Sequence, residues 1–205
     1  MQCDFYFPTP IWWEQTEIDT IDIIKVCADM LEKDSKGRII SNEGGWQSSD
    51  FLPGTYPELS ILENKIMEQA NDCLHGYGYD PKYCSLVFNN IWFNINYTYN
   101  SNSVHFHDNT FISGCFYLKA TPDQGNITFY KNYAMNYIVV SQAILLGNTE
   151  LSVGTISHAP NTGKLVMFPG YLPHGVGHNP SPETRISMGF NIKLIRTEDN
   201  RGNNI

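Results

Sequence analysis

Three histidines and one arginine carry the spacing from which chemistry can be read. His105 and His107 flank Phe106 in Val104-His105-Phe106-His107-Asp108-Asn109. Alternate residues of a strand share a face, so the two imidazoles can aim at one point while Phe106 turns away. His174 lies far along the chain, in Phe168-Pro169-Gly170-Tyr171-Leu172-Pro173-His174. Two close ligands plus a distant one on another strand assemble an open three-ligand metal site, with positions left for water, cosubstrate and oxygen. An H-x-H alone is also what a polar strand face looks like, and a turn histidine is commonly nothing more. Arg185-Ile186-Ser187 adds weight to the set. Arg185 and Ser187 share a face of the last predicted strand, where a guanidinium fork and a hydroxyl can hold a carboxylate. That equipment suits the distal carboxylate of a 2-oxo diacid whose other end chelates a metal. A surface pair between Arg185 and Glu183 is the plainer alternative.

Other polar residues come with two readings each. Asn94 and Asn96 share a face of the strand before the H-x-H; they can bond a cosubstrate or fix histidine orientation, or simply reflect edge-strand polarity. Tyr117 can reach the diacid or pack in the core. Trp46 and Gln47 sit in the Gly-rich stretch Ser41 to Ser48 and can form a lid, although a Trp anchoring that loop onto the sheets is the favoured reading. His75, His158 and His178 read as solvated. Cys115 has no evident activating base.

The elements that must position these groups follow from periodicity. Thr20 to Lys33 repeats apolar residues at three- and four-residue steps, with Asp19 or Thr20 as N-cap, and predicts a helix. Glu58 to Leu74 does the same after Pro57 and before Gly76. From Ser85 onward short β-rich runs alternate with Gly, Pro and Asn: Val87 to Tyr97, Val104 to His107, Phe111 to Leu118, Ile127 to Tyr130, Tyr137 to Leu145, Leu151 to Ile156, Lys164 to Phe168 and Arg185 to Leu194. Strands of this length and spacing predict a mainly β sandwich, jelly roll or barrel carrying N-terminal helices on an outer face. The expected organisation is a single domain over 1–205: a helical layer at 1–84, a β core at 85–196 and a polar tail at 197–205.

Bulk properties exclude several classes. A chain of 205 residues with 41% hydrophobic residues can bury a substantial core. The net charge is −8 with scattered basic residues, which argues against a nucleic-acid footprint. No apolar run approaches the roughly 20 residues of a membrane span, and the N-terminus does not read as a secretion signal. Five cysteines, none in a C-x-x-C, read as reduced thiols in a cytoplasmic protein. Trp12-Trp13 and Phe5-Tyr6-Phe7 can form an apolar homodimer patch or a core contact.

Taken in order, the H-x-H, Phe111-Ile112-Ser113-Gly114-Cys115-Phe116-Tyr117-Leu118, Gly125-Asn126-Ile127-Thr128-Phe129, the Phe168 to His174 turn and Arg185-Ile186-Ser187-Met188-Gly189-Phe190-Asn191-Ile192 resemble the 2OG-Fe(II) oxygenases. These are microbial and phage proteins of the prolyl-hydroxylase-like superfamily. Phe7-Pro8-Thr9-Pro10 and Gly44-Gly45-Trp46-Gln47-Ser48 extend the resemblance over nearly the whole chain. It implies a double-stranded β-helix (a cupin-like jelly roll), an Fe(II) site, which the spacing places on His105, His107 and His174, and a 2-oxoglutarate pocket, which it places at Arg185 and Ser187. It also implies oxidation by O2, expected to be hydroxylation, of a substrate it does not specify. The wider superfamily uses His-x-Asp/Glu and a distant His, whereas this chain has His107 at the carboxylate position. Either three imidazoles bind the metal, which strand geometry favours, or Asp108 replaces one where the chain leaves the strand. Two rivals stand beside this reading: a three-His cupin-like dioxygenase or isomerase without 2-oxoglutarate, and a non-catalytic jelly-roll binding module.

Overall fold

A computed structural model describes residues 8–131 and 153–197 of the chain. Eleven strands and two helices follow in order: β1 (Trp12–Gln15), α1 (Ile21–Lys33), β2 (Asn42–Glu43), β3 (Trp46–Gln47), α2 (Ser60–Gly76), β4 (Cys84–Asn96), β5 (Ser101–His105), β6 (Ile112–Lys119), β7 (Ile127–Tyr130), β8 (Thr155–His158), β9 (Lys164–Pro169), β10 (His174–Val176) and β11 (Arg185–Arg196). Both predicted helices form. The Asp19 carboxylate accepts the Ile21 N–H at 3.0 Å at the start of α1, and a 3-10 turn, Pro57–Leu59, leads into α2. The strand expected over Tyr137 to Leu145 lies outside the described residues, as do Cys3 and Phe5-Tyr6-Phe7. Among the described residues no helix is long and apolar enough to cross a membrane.

The strands make two antiparallel sheets, one ordered β1-β9-β6-β11-β4-β3 and the other β2-β5-β10-β7-β8. The larger sheet explains the whole arrangement, because side chains alternate across it. On one face Ile91, Phe93, Ile112, Phe116, Leu165, Met167, Ile186, Met188, Phe190 and Ile192 are buried. They join Ile23, Cys27, Leu62, Ile66 and Leu74 of α1 and α2 in one apolar core. The helices therefore cover the sheet face that water would otherwise reach. The opposite face, toward the smaller sheet, carries the polar set: Asn94 and Asn96 on β4, Ser113 and Tyr117 on β6, and Arg185, Ser187 and Asn191 on β11. A smaller apolar cluster that includes Tyr117, Ile127, Phe129, Val166, Phe168 and Leu172 joins β6 and β9 of the larger sheet to β7 of the smaller.

The Gly-rich stretch is a corner rather than a lid. Gly44 and Gly45 lie at φ 73° and 69°, in the left-handed region that favours glycine. There the chain passes from β2 in the smaller sheet to β3 in the larger. A Cβ on Gly45 would sit 2.4 Å from the Ile95 carbonyl oxygen. Trp46 is buried, and its Nε1–H donates to the Asp34 carbonyl at 2.7 Å, so it anchors the corner. Trp12 packs on the helical core, while Trp13 is exposed beneath the Lys164 ammonium.

Phe190 is fully buried at the centre of this core and stacks edge-on against Phe88. Phe190→Ala is expected to cost about 3–5 kcal/mol by leaving a cavity that the paired sheet cannot collapse into. Urea denaturation followed by far-UV circular dichroism measures it.

Candidate metal centre and anion cradle

The smaller sheet brings the three histidines together. His105, the last residue of β5, pairs directly with His174 of β10. The next pair along is Asn102 with Val176, so three steps on β5 match two on β10. This bulge lets Asn102 and His105, an odd number apart, both face the cleft. The strand predicted over Val104 to His107 thus ends two residues early. His107 stands just past it, its N–H donating to the Gly170 carbonyl at 2.9 Å. Ring centroids are separated by 4.4 Å for His105 and His174, 5.0 Å for His107 and His174, and 5.1 Å for His105 and His107. One ring nitrogen from each lies within 4.8 Å of the others.

The hydrogen bonds assign the tautomers. His105 Nδ1 lies 2.8 Å from the Ser103 carbonyl and His174 Nδ1 2.9 Å from the Leu172 carbonyl. His107 Nδ1 lies 2.6 Å from Asn191 Oδ1 and 2.7 Å from Ser113 Oγ. Carbonyl and carboxamide oxygens only accept, so each Nδ1 carries the proton and each Nε2 keeps its lone pair. Burial favours the neutral form: it pushes the His174 imidazole down to about 3, His107 to about 4, and lowers His105. Three neutral imidazoles with free Nε2 atoms fit Fe(II), and equally Zn(II), Ni(II) or Cu(II). Asp108 is exposed on the following turn, and Asn109 beyond it has φ 51°. The chain leaves the strand, as a carboxylate ligand would have required, but the side chain turned inward is His107. Asp108 stands outside the cluster.

Arg185 is 1% exposed. Its Nη1 donates to the carbonyls of Gln124, Gly125 at 2.9 Å and Gly177 at 3.4 Å. Its Nη2 is buried with no partner, and the Glu183 alternative fails because Glu183 pairs with Lys119 at 3.1 Å instead. Three carbonyls soften but do not neutralise a buried guanidinium, and an uncompensated buried charge is costly. The cradle therefore calls for an anion. Asn94, Asn96, Tyr117 and Ser187 line the same cavity as the three histidines and Arg185. Asn94 Oδ1 is likewise buried without a partner. Tyr117 is also part of the packed apolar cluster, as its core reading expected.

Trp92 in the lining, and Ser113 and Asn191 behind His107, were not singled out in the sequence, and Cys115 was weighed only as a nucleophile. Trp92 lies edge-on to His107 at 5.8 Å and covers Gly189, where a Cβ would stand 2.5 Å from the indole. Cys115 faces the cavity as a thiol that burial holds at about 11. Ser113 and Asn191 hold His107. Asn191 was findable, because it continues the two-residue alternation of Arg185, Ser187 and Gly189. Ser113 was not, since a serine inside an apolar run shows no partner.

The family described as "Putative 2OG-Fe(II) oxygenase" matches residues 90–191, which contain all three histidines and Arg185. No curated protein matches the sequence. Among solved structures, a Pseudomonas putida prolyl-4-hydroxylase is similar at 14% identity, over 90% of this chain and 92% of that one, with a TM-score of 0.62. A viral collagen prolyl hydroxylase from Paramecium bursaria Chlorella virus-1, solved with 2OG, gives 15%, 89%, 94% and 0.58 on the same measures. The alpha-ketoglutarate-dependent carbocyclase SnoK of nogalamycin biosynthesis gives 13%, 90%, 79% and 0.60. At these identities the likeness is one of fold: two facing antiparallel sheets of the double-stranded β-helix.

The ligand geometry is open to a direct check by Zn(II) titration. His105→Ala, His107→Ala and His174→Ala are each expected to weaken binding by more than the roughly 10–100-fold that loss of an outer hydrogen-bond partner costs. Asp108→Ala is expected to bind as the parent does.

Proposed function

We propose that the chain, whose residues 90–191 match the 2OG-Fe(II) oxygenase family, acts as a 2-oxoglutarate- and Fe(II)-dependent hydroxylase, its 205 residues forming one oxygenase domain. The observation that carries this reading is the meeting, in one cavity, of three imidazoles with free Nε2 atoms and a buried guanidinium with an unpartnered Nη2. His105, His107 and His174 are the proposed metal ligands. Arg185, with Ser187 beside it on the β11 face, is the proposed seat of the distal carboxylate of 2-oxoglutarate.

Bound Fe(II) and 2-oxoglutarate supply the oxidation: O2 is consumed, 2-oxoglutarate leaves as succinate and CO2, and a substrate C–H becomes C–OH. The chain's own groups bind, orient and exclude water. Three carbonyls hold the Arg185 fork with Nη2 free toward the cavity. Asn191 and Ser113 fix the His107 ring, and the Ser103 and Leu172 carbonyls fix the other two. Phe129 and Phe168 pack against the His174 ring at 6.2 and 4.4 Å and would keep bulk solvent from that side of it. Asn94 and Asn96 offer amides to either the diacid or the substrate.

The absence of a carboxylate from the ligand cluster favours one second reading, a three-His oxidative chemistry that does without 2-oxoglutarate. Arg185 separates the two. Anaerobic addition of Fe(II) and 2-oxoglutarate is expected to give a visible charge-transfer band, and aerobic turnover to release succinate. Arg185→Met is expected to keep the metal but bind 2-oxoglutarate at least ~30-fold more weakly, as loss of a buried charge-pair partner costs about 2 kcal/mol or more. Isothermal titration of 2-oxoglutarate into the metal-loaded variant measures this. Undiminished binding would remove Arg185 from the site, and a parent protein that shows neither band nor succinate would favour the second reading.

A further inference from the structure

A chain of amides runs from His107 across the larger sheet to the protein surface. His107 Nδ1 meets Asn191 Oδ1 at 2.6 Å, and the Ser113 hydroxyl donates to the same oxygen at 2.7 Å. Asn191 Nδ2 donates to Asn90 Oδ1 at 3.0 Å. Asn90 Nδ2 donates to Asp50 Oδ2 at 3.1 Å, and the other Asp50 oxygen pairs with the Arg38 guanidinium at 3.0 Å. Ser113 and Asn191 are buried, Asn90 is half-buried, and Asp50 is exposed. The backbone sets these residues in line. Asn191 pairs directly with Asn90 across β11 and β4, and the β4 bulge between Asn90 and Phe88 lets Asn90 face the cleft while Phe88 turns to the core. The isolated bridge between Phe51 and Ile91 brings Asp50 beside Asn90.

A carboxamide can be turned over, exchanging donor for acceptor, and each turn in this chain would force the next. With Asn191 reversed, its Nδ2 would donate to His107 Nδ1 and leave the proton on Nε2, where it blocks a metal. Its Oδ1 would then oppose Asn90 Oδ1, so Asn90 would have to reverse as well. That would set Asn90 Oδ1 against the Asp50 carboxylate, two acceptors in contact with no hydrogen between them. Asp50 is the one member whose side chain offers only acceptor oxygens, and the second of them is taken by Arg38.

The geometry points to Asp50 as a remote positioning residue that fixes, through Asn90 and Asn191, the His107 tautomer able to bind a metal. The assignment rests on the reading of His107 as a ligand, yet its first consequence, which nitrogen holds the proton, exists without any metal. Asp50 touches neither the cavity nor a histidine. Asp50→Asn keeps the shape and supplies a donor, so the reversed chain becomes permissible.

Ring 15N shifts of the metal-free protein at a pH where the imidazoles are neutral read the tautomers directly. The parent is expected to show His107 protonated on Nδ1. Asp50→Asn is expected to show a mixture at His107 alone, with Zn(II) affinity lowered about threefold to tenfold. That is less than the roughly 10–100-fold expected for Asn191→Leu, which removes the direct partner. Asp50→Glu, still an obligate acceptor, is expected to restore the parent tautomer. His105 and His174, held by backbone carbonyls, serve as internal references. An unchanged His107 in Asp50→Asn would overturn the assignment, and so would a change spread over all three histidines, which reports a loosened fold. A His107 shift in a protein that binds no Zn(II) would uphold the amide chain and refute the metal reading instead.

Discussion

The two-residue alternation of β11 is the constraint on which both the fold and the cleft depend. This strand pairs with β4 on one side and β6 on the other, so it can neither shift nor tilt without breaking two ladders. Its odd positions from Arg185 to Asn191 face the cleft, and its even positions from Ile186 to Ile192 enter the helical core. A slip of one residue would bury the guanidinium among Leu and Phe side chains and expose four apolar groups. Burial of the even face therefore enforces the placement of the odd face. The energy that orders the polar groups comes from the hydrophobic side of the same sheet.

Within the cleft the balance of charge is unusual. The histidine cluster contributes no negative charge, and among the described residues no carboxylate pairs with Arg185, which adds a positive one. A site of this composition holds a dication less tightly by long-range attraction than a two-His-one-carboxylate site, and depends more on directed lone pairs. Ring orientation thus gains importance. Each imidazole has its own outer acceptor, two of them backbone carbonyls that no substitution can remove. Only His107 relies on side chains.

Much of this was legible from residue order. Period-two alternation located β4, β6, β9 and β11, and the three- and four-residue steps located both helices, because those patterns span enough residues to state their own face. The H-x-H and the Arg-x-Ser were legible for the same reason. β2, β3 and β10 were not, since two or three residues become a strand only when a partner is present. The end of β5 at His105 depends on a bulge defined by β10, a strand almost seventy positions later. Trp46 and Asn191 show the limits from opposite sides. Trp46 was rightly favoured as an anchor, although its acceptor at Asp34 left no trace in the sequence. Asn191 lay on the marked face, but its role needed Ser113, Asn90 and Asp50 placed around it.

Among the described residues both sheets finish in stubs: four and two residues at the rims of the larger one, two and four at those of the smaller. Stubs offer a neighbouring molecule little backbone to zip onto, and Lys164 over Trp13 sets a cation at one rim. Abbreviated margins leave a neighbouring molecule little edge to pair with, apart from the outer side of β4 beyond β3 and the Phe51 bridge. Colloidal hazards would then concentrate in partially opened states, where β4 or β11 lies bare along its full length.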